Sequence, residues 1–324
     1  MKAWRIALLL LGLEVLLFLA IHRGRTPSAT PIANTATTSA GNATAQTTSP
    51  TIASQQLNPT AETTLRYQTY SLSQATAHVL TIPAGGEARV QVGVSPGVDS
   101  LENFAQSTGA IAVINGGFFD PANLMTTSYV VQEGQLAADP RQNDRLMQNP
   151  DLTPYLSQIL NRSEFRRYQC GLQNGSEVRY AIAPQNEPSP TDCQLVDAVG
   201  AGPQLLPTLT LEQEGFLTQE NGTVIRDALG YDRPNARSAV GLTAQGDVVL
   251  VMVAKQPDNP ASGVSLPALA EFMKSIGVTQ ALNLDGGGSS SLYYNGKTIF
   301  GSIDPEGNPV ERSVKSVLVV IPRN

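Results

Sequence analysis

The chain has 324 residues, 41% apolar and 15% charged, with a formal net charge of −6 at pH 7. That length supports one large domain or two small ones with a sizeable core. An acidic balance without a basic run argues against nucleic acid as a partner, and two histidines with two cysteines are too few for the usual zinc sites.

In chain order, Lys2 and Arg5 precede an apolar run from Ile6 to Ile21, interrupted at Gly12 and Glu14. The run is short against the roughly 20 residues of a spanning helix, and it also fits a signal-peptide core. Ile21, His22, Arg23 and Arg25 stand where a small-residue cleavage site belongs, so residues 1–25 are expected to form an uncleaved membrane anchor, with a cleaved signal peptide as the alternative. In both cases the remainder is exported. Residues 26–62 are rich in Thr, Ser, Ala and Pro with almost no large apolar side chain, which predicts a flexible stalk.

The folded domain is expected over 63–324. Arg89–Val94 alternates like a strand, and Ala110–Phe119 is a short apolar run ending in Gly-Gly, as in a strand buried on both faces. Ser128–Leu136 reads as strand, turn and strand. The stretch from about 141 to 193 is polar and proline-rich at its end, which predicts an inserted loop region with a helix near Leu152–Arg167. Cys170 and Cys193, the only cysteines of an exported chain, are expected to form a disulfide. Asn-x-Ser/Thr triplets stand at Asn42, Asn161, Asn174 and Asn221.

Ala236–Lys255 reads as a hairpin turning at Ala244–Asp247. Ser265–Gly277 has the signals of a helix: a capping serine, Pro267 in the first turn, and an apolar stripe of Leu266, Leu269, Met273 and Ile276. Gln280–Asp285 and Arg312–Ile321 are the last predicted strands. Many strands, few helices and no regular βαβ alternation predict a mixed, strand-rich α+β fold in a single domain.

Chemistry is expected where strands end. Asp285 closes an apolar strand and is followed by Gly286, Gly287, Gly288 and Ser289–Ser291. Backbone N–H groups of such a loop can converge on an anion, and a plain turn would need fewer glycines. "INGGFFD" brings Asn115 and Gly116 to a strand end; "AVGAGPQLL" places Gly200 and Gly202 before Pro203; "RPNARSAVGL" places Arg237 and Ser238 at the start of the hairpin; "ERSV" places Glu311 and Arg312 before the last strand. Arginine suits forked contacts with phosphate. His78 stands alone on an early strand and is expected to be structural, which leaves carboxylate, arginine and backbone chemistry.

These stretches, in this order, resemble phosphodiester glycosidase domains, the family of N-acetylglucosamine-1-phosphodiester α-N-acetylglucosaminidase. The resemblance runs from about 111 to 321, poorest over 141–193, and "LNLDGGGSSSL" is its most specific part. It implies an α+β fold and hydrolysis of a sugar–phosphodiester bond on the sugar side. By position, Asn115, Gly116, Arg237, Ser238, Asp285, Gly287, Ser289, Glu311 and Arg312 lie in the motifs expected around the pocket. One departure stands out: members often carry Asp-Gly-Arg after the "VLVMV" strand, where this chain has Ala254-Lys255-Gln256, and Lys255 is a candidate for the missing cation.

The residues suit that reaction. Its leaving group is a phosphate monoester, stable as an anion, so the demand for a strong general acid falls. Cations and backbone donors on the phosphate help instead, with a carboxylate at the sugar carbon. Asp285 is the first candidate for that carboxylate and Glu311 the second, with Asn115, Gly116, Arg237, Ser238, the three glycines, Ser289 and Arg312 on the substrate. The expected partners are a phosphorylated glycan and, through the N-terminus, a membrane. No cofactor is called for, although an oxygen-liganded cation such as calcium stays open. The alternatives are a non-catalytic envelope protein binding anionic glycans and, third, a metal-dependent phosphoesterase cutting on the phosphorus side.

Overall fold

Val248–Lys255 is buried along its whole length except at Lys255, as befits a strand covered on both faces. It sits inside a six-stranded sheet, sheet I, ordered Arg66–Leu72, Ala75–Ile82, Val248–Lys255, Arg237–Thr243, Val278–Asn283 and Gln204–Leu206. Sheet II runs Lys297–Phe300, Ser291–Tyr294, Ala112–Asn115, Val314–Pro322, Ala88–Asp99. Sheet III runs Glu177–Pro184, Ser163–Cys170, Cys193–Gly200, Val130–Gln132, Gln135–Ala138. The computed structural model describes residues 63–171 and 177–323. The expected anchor and stalk lie outside them, as do Asn42 and Asn174. Among the described residues no helix is long and apolar enough to cross a membrane.

One apolar core joins all three sheets. Leu250 and Leu282 come from sheet I, Ile114 and Leu318 from sheet II, and Phe165 and Val199 from sheet III. The outer face of sheet I packs on helix Leu266–Ser275 through Val251, Leu269 and Met273. That helix begins as expected: Ser265 Oγ accepts from Ala268 N–H, and Gly277 ends the segment at φ +88°. The outer face of sheet II packs on a second helix, Leu101–Thr108, through Phe104 and Val317. Ser100 caps it by accepting from the Asn103 N–H, and Gly109 ends it in the left-handed conformation.

The structure corrects the expectation for 141–193. The predicted helix near Leu152–Arg167 is two short turns, Thr153–Tyr155 and Leu156–Ile159, and Ser163–Cys170 is a strand. This supposed loop region supplies Ser163–Cys170 and Glu177–Pro184 to sheet III. Buried ion pairs disguised the strand as polar. Arg166 Nε lies 2.9 Å from Glu164, and Arg167 Nε lies 2.7 Å from Asp197 on the next strand. Cys170 and Cys193 form the expected disulfide directly across that strand pair, with Cα atoms 4.0 Å apart.

Candidate active site

The motif-bearing strands meet at one end of the three sheets. Asn115 ends its strand there, entirely buried, with both ends of its carboxamide hydrogen-bonded. Its Nδ2 donates to the Asp285 carbonyl at 2.6 Å, while its Oδ1 accepts from Ser238 Oγ at 2.6 Å and from the Ser291 N–H at 3.2 Å. One side chain thus ties together three segments far apart in sequence. The neighbouring backbone adds to the tie, because Gly116 accepts from the Asp285 N–H at 2.9 Å and donates to Ser316 at 2.8 Å.

Close packing requires glycine at this junction. A Cβ on Gly117 would lie 2.1 Å from the Gly200 carbonyl oxygen, and one on Gly116 would lie 2.7 Å from Ser316 Oγ. No side chain fits either approach. Gly202, at φ +106°, donates to the Asn283 carbonyl and accepts from Asn283 Nδ2. The "AVGAGPQLL" segment is thereby fastened two residues upstream of Asp285.

The glycine loop departs from the expected anion nest. Gly287–Ser289 form a turn of 3₁₀ helix. Gly286 N–H is taken by the Asp285 carboxylate at 2.9 Å, Gly287 N–H by Ala236, Ser289 N–H by Gly286, and Ser290 N–H by Gly287. That leaves the Gly288 N–H as the donor not used within the loop. Three of the five buried side-chain polar atoms without a hydrogen-bond partner among the described residues lie on this segment: Asn283 Oδ1, Ser289 Oγ and Ser290 Oγ. Such orphans ask for a functional explanation.

Asp285 lies half-buried above this turn. Burial pushes its carboxyl up to about 6, against the opposing pull of the nearby Ser289 hydroxyl, the Gly286 N–H and the Arg312 charge. The Ser289 hydroxyl favours the charged form from close by, although it does not reach full hydrogen-bond geometry. Arg312 lies across the turn with its guanidinium against Gly288, where a Cβ would stand 3.0 Å from Cζ. It feels the Asp285 charge without forming a direct ion pair. A carboxylate and an exposed guanidinium therefore face each other across a turn that offers one N–H.

Other expected site residues are placed differently. Arg237 is 3% exposed, and its guanidinium donates to the carbonyls of Val264, Leu229, Gly230 and Arg233. It braces these loops beside Gly286 and has too few N–H groups left to clamp a phosphate. Burial lowers it to about 10, so it stays charged at neutral pH. Glu311 is exposed and is joined to none of these groups. Lys255 donates to the Pro260 carbonyl at 2.7 Å, and His78 pairs with the Tyr67 hydroxyl at 2.7 Å, the structural role expected of it. The sequence reading missed Asn235, whose Nδ2 approaches Gly287. It stands two residues before Arg237, inside a motif that was noticed for other members. Two cavities of about 330 and 380 Å³, one beside Lys315 and one beside Arg166, are lined by neither Asp285 nor Arg312. Among the described residues no three His, Cys, Asp or Glu side chains stand together as a metal cluster would require.

An all-antiparallel domain of three large sheets and two small two-stranded ones, with an aspartate–triple-glycine turn facing an arginine, defines a class, and the comparisons agree on which. The family model for phosphodiester glycosidase matches residues 108–321, more than half of the chain, and the chain belongs to that family. A curated relative from Bos taurus, N-acetylglucosamine-1-phosphodiester alpha-N-acetylglucosaminidase, is 39% identical over 79 residues, which is 24% of this chain but only 14% of that protein's length. The zebrafish N-acetylglucosamine-1-phosphodiester alpha-N-acetylglucosaminidase catalytic domain, solved auto-inhibited by its pro-peptide, superposes with a TM-score of 0.56 at 18% identity, covering 83% of this chain and 85% of that one. A putative exported protein of Burkholderia pseudomallei superposes with a TM-score of 0.53 at 18% identity, covering 76% and 74%. At these identities the superpositions establish a shared fold.

Proposed function

We propose that this protein hydrolyses a sugar-1-phosphodiester on the sugar side, acting on a glycoconjugate outside the cytoplasm. The observation that carries the reading is the Asp285 carboxyl facing Arg312 across the Gly286–Gly288 turn. Arg312 and the Gly288 N–H receive the phosphate, and Asn235 offers an amide donor beside them. The Asp285 carboxylate lies on the sugar side and stabilises the positive charge that grows at the anomeric carbon. The bond between that carbon and the bridging oxygen breaks. The oxygen leaves with the phosphate as a monoester anion held by Arg312, and water adds to the sugar carbon and releases one proton to solvent. The disulfide supports an exported location, since such bonds persist in oxidising compartments.

The test is product analysis with an N-acetylglucosamine-1-phosphodiester. Free sugar together with a phosphomonoester on the aglycone supports the reading. Sugar 1-phosphate would identify cleavage on the phosphorus side, and binding without turnover would identify an anionic-glycan binder; either result overturns it.

A further inference from the structure

Away from Asp285, two arginines repeat one arrangement on adjacent residues. Arg162 Nε donates to the Glu214 carbonyl at 3.1 Å, and Arg226 Nε donates to the next carbonyl, Gly215, also at 3.1 Å. Each guanidinium rests on a ring: Arg162 Cζ is 3.7 Å from the centre of Phe216, and Arg226 Cζ is 4.5 Å from that of Tyr155. Carbonyl and ring together fix both forks. The two are close enough for their charges to oppose each other.

Neither arginine forms an ion pair among the described residues, although Arg162 is only 7% exposed. Glu214 is the carboxylate beside them, and its oxygens already accept from the Ser163 N–H, Ser163 Oγ, the Gln204 N–H and Thr210 Oγ1. Its carboxylate is held by those four groups, and one negative charge against two guanidiniums leaves the cluster positive. The Nη groups of both arginines make no hydrogen bond within the described residues, and those of Arg162 are not sealed from solvent. Burying a guanidinium beside a like charge is unfavourable unless something compensates. Burial lowers Arg162 to about 9, so it remains a cation at neutral pH.

We propose that Arg162 and Arg226 form a binding site for a phosphomonoester dianion, separate from the Asp285 site. Two planar forks with free Nη pairs match the oxygens of a phosphate better than point charges would. Arg162 Cζ also lies 5.9 Å from the Phe118 ring, whose centre is 5.7 Å from that of Phe216. Among the described residues neither guanidinium bonds to Asp285 or Arg312, so the site uses side chains other than those of the reaction proposed above.

The experiment uses the full-length protein carrying Arg312→Gln, which weakens phosphate binding beside Asp285. Titration calorimetry at pH 7 and low salt, with inorganic phosphate in one arm and a hexose 6-phosphate in the other, should show binding at one site. Tighter binding of the hexose 6-phosphate assigns the site to a ligand-borne group, and equal binding assigns it to free phosphate. Adding Arg226→Gln should weaken either ligand at least tenfold. It should also raise the Tm in phosphate-free buffer, because the like-charge contact is relieved. Arg162→Lys, which keeps the charge but loses the fork, should likewise weaken binding; if that buried variant does not fold, Arg226→Gln alone decides. No binding in the Arg312→Gln protein, or binding unchanged by Arg226→Gln, overturns the proposal.

Discussion

Asn115 donates to the backbone carbonyl of Asp285 at 2.6 Å across 170 residues of sequence. That bond sets where the Asp285 backbone stands, and the same carboxamide holds Ser238 and Ser291. Asn115 is a positioning residue whose donor and acceptor serve the fold. Asn115→Ala strands the Asp285 carbonyl, the Ser238 hydroxyl and the Ser291 N–H in a buried place. The expected cost is about 2–4 kcal/mol of folding stability, read as a lower urea midpoint with an unchanged slope.

Asp285→Asn is expected to abolish turnover while the protein stays folded. Burial pushes the folded carboxyl up to about 6 from the ordinary 3.8 of an aspartate, so folding favours its protonated form. Its contribution to stability is present at low pH and is lost as pH rises through about 6. A neutral Asn therefore leaves the Tm at pH 7 unchanged or higher, with a ceiling of about 3 kcal/mol in stability that solvent screening of the half-buried group reduces. Full activity in this variant would refute the assignment.

The same carboxyl sets the pH profile. If the carboxylate is the working form, kcat/KM rises with pH along a limb centred near pH 6 and then levels off. A limb that instead falls near pH 6 would make Asp285 a proton donor.

Arg312 is exposed and makes no hydrogen bond among the described residues. Arg312→Gln should lower kcat/KM for a sugar phosphodiester by about 10²–10³-fold, with the melting temperature unchanged. Arg237→Gln should behave in the opposite sense. It removes a buried brace on four carbonyls, so thermal melting should register the loss directly.

Gly117→Ala places a methyl 2.1 Å from the Gly200 carbonyl oxygen. The strand end would have to move away from sheet III, and soluble folded protein should fall sharply on expression. Reducing the Cys170–Cys193 bridge is milder: about 3 kcal/mol is expected from the loop it closes, visible as a lower Tm in reductant.

The strands with apolar alternation, the 265–277 helix and the five motif ends were legible in the sequence because their signals are local: residue period, cap and glycine. Ser163–Cys170 was not, because its charges read as a solvated face until their pairing is seen: Arg166 with Glu164 on the same strand and Arg167 with Asp197 on the next. The roles within the site divide the same way. Asp285 was visible beside a glycine run and Arg312 at the entry to the last strand; their meeting at Gly288 was not. That Arg237 turns its guanidinium to four carbonyls, that Glu311 stands outside, and that one N–H of the glycine loop stays unused are matters of which backbone each group meets.

The sequence by itself determined the family, the strand-rich class and the short set of segments that carry the chemistry, since these are written in spacing and residue type along the chain. Only the tertiary structure decided which polar groups are already bonded and which remain available. Hydrogen bonds and buried charges are settled by neighbours brought together from distant positions, and no local pattern encodes that pairing.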